Sequence, residues 1–391
     1  MGGADYEMTE SQAAVRELAR KVCADFDADY WLRTDETAVF PHDFHRAIAD
    51  AGLLGVAMPQ EFGGSGMGIS EAAVLMREVA ESGAGMSGAS AIHLNIFGLQ
   101  PVVVFGTDEQ KGRMLPPLIR GEEKACFAVT EPDAGLNTTE ISTRAERRGD
   151  GYVINGRKIW TSTAQVADRA LILVRTTPLD QVAKKTHGLS LFYTRLDRSK
   201  VEVRLIKKMG RHAVDSNMLF IDDLEVPAAD LIGEEGAGFS MLLHGLNPER
   251  ILIGAEAVGL GMAALQRATS YARERVVFGR PIGQNQGIQH PLAKAWMHLQ
   301  AAFLMTMRAA ALYDAGKECG AEANTAKYLG AEAAFTACET AVQTLGGMGY
   351  AAEFHVERYM RECFIPRIAP VSPQMIMNFI AEKVLDLPRS Y

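Results

Sequence analysis

The sequence predicts a multidomain α+β protein built in the order helix, sheet, helix. Its parts are an N-terminal helical domain over residues 1–124, a central β domain over 125–236 and a C-terminal antiparallel four-helix bundle over 237–391. Three observations predict this. Apolar residues recur at helical spacing from residue 9 to about 120, short apolar runs separated by turn residues replace them between about 125 and 227, and helical spacing returns from Gly238 onward. A chain of 391 residues also exceeds one ordinary core and suits two or three.

In the first part, Thr9-Glu10-Ser11-Gln12 offers N-cap chemistry ahead of AAVRELARKVCADF, residues 13–26, whose apolar positions share a helical face. The glycine cluster EFGGSGMG at 61–68 reads as a loop, because no strand precedes it and it fits neither glycine-rich phosphate fingerprint. The β domain shows YVI, LILV, LSLFY and MLFI as short strands. Within Tyr152-Val-Ile-Asn155-Gly156-Arg-Lys-Ile-Trp160, Asn-Gly predicts a two-residue hairpin turn, with Trp160 closing the following strand. In the last part, Ile251, Ala255, Val258, Met262 and Leu265 step along one helix face. Helices over roughly 287–316 and 322–346 follow, and a final one runs through MIMNFIAEKVL, which together make a bundle.

Composition narrows the function. With 48% hydrophobic and 23% charged residues the chain is expected to fold throughout, and a net charge of −8 leaves no basic surplus for nucleic acid. Five cysteines without a C-x-x-C pair argue against disulfides or structural zinc, so a reducing cytoplasm is expected. A polar start, MGGADYEMTESQ, and no run of ~18 apolar residues predict neither signal peptide nor membrane span. No metal site is expected: His93, His290 and His355 lack ligand spacing and read as ordinary polar packing.

Two motifs carry more. Cys126-Phe-Ala-Val-Thr-Glu-Pro-Asp-Ala-Gly135, continuing through NGRKIWTSTA, resembles the first signature of the acyl-CoA dehydrogenases. Gln343-Thr-Leu-Gly-Gly-Met-Gly-Tyr350 followed by Glu357-Arg-Tyr-Met-Arg361 resembles the second, and RERVVFGRPIGQNQ at 273–286 and the domain order extend the similarity over the whole chain. The resemblance implies that family's fold, an FAD cofactor, an acyl-CoA substrate, electron-transferring flavoprotein as electron acceptor, and a homotetramer arranged as a dimer of dimers. It implies that Phe127, Val129, Thr130, Trp160 and Ser162 line the flavin ring. Arg275, Phe278, Gln286, Gln343, Gly346 and Gly347 would reach a neighbouring subunit's FAD, with Ser372 and Gln374 near ribose and pyrophosphate. The chemistry suits these residue types, since a flavin needs aromatic packing with a few donors and a diphosphate needs backbone amides and an arginine. On spacing alone Trp160 reads rather as sheet core, and Gly346-Gly347 as a break after a helix.

The reaction needs a base for an α-hydrogen, a hydride acceptor and support for charge on the thioester oxygen. Most of the family carry the base as a glutamate in a segment that aligns with Ile368-Ala-Pro-Val-Ser-Pro-Gln374, where this sequence has Pro370. The isovaleryl-CoA and long-chain members place it in a segment resembling Gly245-Leu-Asn-Pro-Glu249-Arg250, so the resemblance implies Glu249 as base. Asn247 reads as a helix cap, Pro248 as its first residue and Glu249 as a first-turn acid, which the helix dipole alone also explains. The expectation is that bound acyl-CoA, more than the free protein, raises the pKa of Glu249 by desolvation. Asn247 and Arg250 match substrate-contacting positions, though Arg250 also reads as a bundle buttress. Leu136 and Asn137 stand where the family has Ser and Asp beside the CoA chain, and the Val371 amide is expected to hold the thioester oxygen because Pro370 has no N–H. The product would be a trans-2-enoyl-CoA. An acyl-CoA oxidase of the same fold, or an inactive flavin- or CoA-binding homologue, stand as alternatives.

Overall fold

A computed structural model describes residues 7–390; the first six residues of the polar N-terminal stretch, and Tyr391, lie outside it. Seven helices come first: α1 (Glu10–Cys23), α2 (Ala28–Thr37), α3 (His42–Asp50), α4 (Ile69–Val79), α5 (Gly85–Ile96), α6 (Gln100–Phe105) and α7 (Asp108–Ile119). The α1 start is a capping box, with the Gln12 amide donating to Thr9 Oγ1 at 3.2 Å and the Thr9 amide donating to Gln12 Oε1 at 3.3 Å. EFGGSGMG is a loop, and at Gly64 an added Cβ would lie 2.2 Å from the Met58 carbonyl oxygen, so the chain reversal has no room for a side chain.

The β domain has strands β1 (Ala125–Ala128), β2 (Arg144–Arg148), β3 (Gly151–Ser162), β4 (Arg169–Arg175), β5 (Leu189–Arg195), β6 (Val201–Leu205), β7 (Ser216–Pro227) and β8 (Leu231–Ile232). They form one sheet in the order β6-β7-β3-β2-β4-β5-β8, with β1 running parallel to β4. Leu171 and Leu173 of β4 face α6, α7 and the start of the next long helix, while Ala170, Ile172 and Val174 face the rest of the sheet. Burial on both faces explains why this strand reads as a continuous apolar run.

The Asn155-Gly156 turn expected from sequence is not a turn. β3 runs unbroken through it, and the two-residue hairpin is Gly149-Asp150, with Arg148 opposite Gly151 and Gly149 at φ +58°. Gly156 serves another purpose: a Cβ there would sit 2.5 Å from Thr143 Oγ1, beside a shift in the β3–β7 register. Trp160 does not close the strand either, because β3 continues to Ser162 past a second register shift, where Trp160 adopts φ +60°.

The C-terminal part contains α8 (Gly238–Glu274), a small hairpin of β9 (Val276–Val277) and β10 (Arg280–Pro281), then α9 (Gln286–Asp314), α10 (Gly320–Leu345), α11 (Val356–Glu362), α12 (Ile365–Ile368) and α13 (Pro373–Lys383). The three long helices pack on one another, α13 packs on α10, and α4 packs against α8 and α9. One continuous core therefore joins residues of α1, α4 and α5 to those of α8, α9 and α10. Two polar clamps tie the N-terminal helices to the C-terminal ones. Asp314, the last residue of α9, accepts hydrogen bonds from the Ile69 and Ser70 amides at the α4 N-terminus at 2.7 and 2.9 Å. Arg358 and Glu362 of α11 bind the wide turn between α4 and α5: Arg358 donates to the Gly83 and Ala84 carbonyls, and Glu362 accepts from the Met86 amide and the Ser87 hydroxyl.

Two segments, Ile69–Phe105 and α8, are long and apolar enough to cross a membrane by length and composition, although neither contains an unbroken run of ~18 apolar residues. Most of each is buried inside this fold, so their apolarity is that of core helices.

Candidate active site

Glu249 lies in the interior of α8, eleven residues past its start at Gly238. This overturns the expected first-turn geometry. Asn247 caps no helix, and Pro248 sits within the helix, where it has no N–H to donate to the His244 carbonyl. Asn247 Oδ1 instead accepts from Arg250 Nη1 at 3.0 Å. The Asn-Pro-Glu triplet looks like a helix start, but burial of Gly245, Pro248, Ile251 and Leu252 carries the helix through it.

The carboxylate is half-buried, and its Oε2 is out of contact with solvent and accepts no hydrogen bond. An unsatisfied buried acceptor of this kind costs on the order of 1–3 kcal/mol. Burial pushes the carboxyl pKa up to about 7, against the opposing pull of His93, Arg250 and Lys327 and with a further push from Glu256. The free protein thus already raises this pKa by burial, and the mid-helix position removes the first-turn dipole explanation.

Around Glu249 are groups the sequence did not connect. His93 Nδ1 of α5 lies 2.5 Å from Glu256 Oε1 of α8. Burial alone would lower the His93 pKa, but Glu256 outweighs it and raises it, and Glu249 adds to the effect. His93 and Glu256 therefore form a buried, directly hydrogen-bonded pair beside Glu249. Lys327 of α10 is fully buried and donates to the Val371 carbonyl at 2.6 Å, which fixes the segment that holds Pro370. Burial and Arg250 lower the Lys327 pKa to about 8.

The residues expected around a flavin fall into two places. Phe127 on β1 and Val129-Thr130 after it are stitched to β3, because the Ile159 amide donates to the Thr130 carbonyl and Lys158 Nζ to the Val129 carbonyl, both at 2.9 Å. Trp160 and Ser162 continue that edge, and Trp160 is 57% exposed. The second place is a groove of about 600 Å³ lined by Arg275, Phe278, Gln343, Gly346 and Gly347. Phe278 is wholly exposed at φ +53°, and open space surrounds both Gly346 and Gly347. Uncovered aromatics, an arginine and bare backbone suit a planar ring system with a diphosphate. Gln286 is exposed at the start of α9, Ser372 caps α13 by accepting from the Met375 amide, Gln374 is exposed, and none of the three lines the groove.

Of the residues assigned to substrate, Leu136 is exposed, while Asn247, Arg250 and Val371 are half-buried. A second cavity of about 670 Å³ opens at the start of α8, lined there by Phe239, Ser240 and Leu243. Asn247 and Arg250 follow Leu243 by four and seven residues, so they continue the same helix face. Among the described residues, no group of three or more His, Cys, Asp or Glu is placed to hold a metal ion.

The first signature also hides a structural glutamate. Glu131 accepts from the Ser142 amide at 2.7 Å, the Thr143 amide at 2.9 Å and Lys158 Nζ at 3.0 Å. Burial opposes its ionisation, but Lys158 and these donors prevail and hold its carboxyl down at about 2. The loop beside Val129 and Thr130 is fixed as a result.

A helix–sheet–helix chain with an unpartnered carboxylate oxygen on its long central helix, and exposed aromatics beside bare backbone, has the parts that the class of flavin-dependent oxidoreductases requires. Comparison with known proteins gives the family. The chain matches the acyl-CoA dehydrogenase N-terminal domain over residues 9–122, the middle domain over 126–224 and the C-terminal domain over 236–385. It is 38% identical to "Acyl-CoA dehydrogenase fadE12" of Mycobacterium tuberculosis, over 98% of each chain. Its fold is similar to butyryl-CoA dehydrogenase of Megasphaera elsdenii, with a TM-score of 0.92 at 28% identity over 97% of this chain and 100% of that one. It is also similar to a structure reported for the electron transferring flavoprotein of Acidaminococcus fermentans, with a TM-score of 0.93 at 29% identity over 97% and 99%. The chain belongs to the acyl-CoA dehydrogenase family, whose members are FAD flavoproteins, and it is a flavin-dependent dehydrogenase.

Proposed function

We propose that this enzyme converts an acyl-CoA thioester to its trans-2-enoyl-CoA, with Glu249 removing the α-proton. The observation that carries this is the Glu249 carboxylate itself: buried, with one oxygen unpartnered and a pKa near 7. A base works best when its pKa lies near the working pH, and structural carboxylates are normally satisfied. Bound FAD supplies the acceptor for the β-hydride. Phe127, Val129, Thr130, Trp160 and Ser162 hold the ring, and the groove of Arg275, Phe278, Gln343, Gly346 and Gly347 holds part of a partner copy's FAD, aided by Gln286, Ser372 and Gln374. The groove includes Tyr271 of α8, 22 residues from Glu249, or ~33 Å along the helix axis. Such a separation supports a groove that serves a second copy's site, as in the proposed homotetramer.

Substrate enters along the α8 face that bears Leu243, Asn247 and Arg250, with Leu136 at the mouth. The thioester oxygen is held by the Val371 amide, and Lys327 supports this by anchoring the carbonyl of the same residue. Electron-transferring flavoprotein is the proposed acceptor, an assignment that the likeness to the Acidaminococcus fermentans structure supports. Five buried free thiols favour a reducing, cytoplasmic setting.

The test is anaerobic bleaching of the bound flavin by a panel of acyl-CoAs. Wild type should bleach with at least one of them, and Glu249→Gln should keep FAD yet lose bleaching. A variant that bleaches at the wild-type rate would remove Glu249 from the reaction.

A further inference from the structure

Arg211 lies in the loop between β6 and β7, at φ +56°, a conformation that side chains other than glycine seldom adopt. Its guanidinium reaches three hydroxyl groups on three different elements. Nη1 donates to Ser90 Oγ of α5 at 3.0 Å, and Nη2 donates to Ser162 Oγ of β3 at 2.9 Å and to Ser216 Oγ of β7 at 3.3 Å. Its Nε is out of contact with solvent and has no hydrogen-bond partner. No carboxylate forms an ion pair with it among the described residues; Asp215, Glu256 and Glu362 act on it only at longer range. His93 and Lys208 are the other titratable groups that face it, and Lys208, which shares Ser216 Oγ, has its pKa pushed down to about 6 by burial and by Arg211. Lys208 can lose its proton, whereas the guanidinium cannot, so Arg211 is the fixed cation of this cluster.

A cation ligated by neutral hydroxyls, with an N–H left over, is an unfinished arrangement, because burying a charge is costly unless an opposite charge answers it. A guanidinium also has no acceptor, so each of the three serine oxygens receives its proton and none can donate back. Ser162 Oγ–H must then point to some other acceptor. Ser162 belongs to the β3 edge assigned above to the flavin ring, and a reduced flavin carries added negative charge.

We propose that Arg211 is a positioning residue for the cofactor: it fixes the Ser162 hydroxyl as a donor toward the flavin and holds a permanent positive charge behind it, which favours the reduced state. This rests on the FAD site proposed above. The unpaired cation is completed by the charge that arrives on reduction, and an apolar side chain at 211 would remove both effects. A lysine would restore the charge without the fork that grips Ser90 and Ser162 together.

The experiment is an anaerobic titration of FAD-loaded enzyme against a reference dye at pH 7, giving the two-electron reduction potential for wild type, Arg211→Met, Arg211→Lys and Ser162→Ala. Arg211→Met should shift the oxidised–reduced equilibrium at least tenfold toward the oxidised flavin, a fall of ~30 mV for a two-electron couple. Arg211→Lys should recover more than half of that shift, and Ser162→Ala should produce a smaller one of the same sign. If Arg211→Met loses its flavin, Arg211→Gln, neutral but hydrogen-bonding, carries the same expectation. A neutral variant that retains FAD with an equilibrium within twofold of wild type overturns the role of Arg211 alone. Wild-type protein that takes up no FAD overturns the flavin site as well.

Discussion

Glu131 and Glu249 are both carboxylates drawn away from water, and the fold treats them in opposite ways. Glu131 meets two backbone amides, a hydroxyl and a buried lysine, and its pKa is held at about 2. Glu249 has an oxygen that nothing answers, and its pKa stands near 7. The first arrangement is what a structural charge requires. The second costs stability and makes sense where a proton must be taken up near neutral pH. The difference teaches that burial alone does not mark a functional acid; burial without partners does.

The comparison breaks if both glutamates respond alike to neutralisation. Glu249→Gln should lower turnover by about 10²–10⁴-fold, the usual contribution of a general base, while leaving the fold and flavin content unchanged. Glu131→Gln should do the reverse, leaving the fully buried Lys158 uncompensated and costing about 3–5 kcal/mol in urea unfolding. Because the folded Glu131 pKa is depressed, its contribution is present above the unfolded value of 4.5 and is lost as pH falls from there toward 2. The deficit of the variant should therefore shrink below pH 4.

Glu249 carries the opposite sign. Its folded pKa is raised, so the folded chain keeps a proton between pH 4.5 and about 7 that the unfolded chain has lost, and ionisation above that window weighs against the fold. Glu249→Gln should be more stable than wild type at pH 8, by on the order of 1–3 kcal/mol, and should differ little at pH 4.5. The smallest expected effect is at Asn247. Since it caps no helix, Asn247→Ala should change unfolding free energy by less than about 0.5 kcal/mol, whereas loss of a true cap costs about 1 kcal/mol. Any effect of this substitution should appear in the Michaelis constant instead.

Much of the architecture was legible because a change of period is a local property: helical spacing up to residue 120, alternating short runs in the middle and helical spacing again after Gly238 all match observed elements. The errors came where local chemistry met a tertiary demand. Asn155-Gly156 carries the signature of a hairpin turn, yet Gly156 is there to let Thr143 approach, and the turn is at Gly149-Asp150. Asn247-Pro248-Glu249 has the pattern of a helix start, yet packing on both sides of Pro248 keeps α8 continuous. Glu249 could be named from a resemblance, but its environment could not. His93 and Glu256 are 163 residues apart, and Lys327 reaches Val371 across 44, so no spacing rule joins them. Glu131 and Lys158, only 27 apart, sat inside the recognised first signature and could have been paired as opposite charges on neighbouring segments.

The most direct test is the pH dependence of the second-order rate of anaerobic flavin bleaching by a good acyl-CoA substrate, which reports ionisations of the free enzyme. The rate should rise about tenfold per pH unit up to an inflection near 7 and then level off, and the residual rate of Glu249→Gln should show no such rise. A wild-type profile that is flat from pH 5.5 to 8.5, or an inflection that persists in Glu249→Gln, would contradict the assignment of the base.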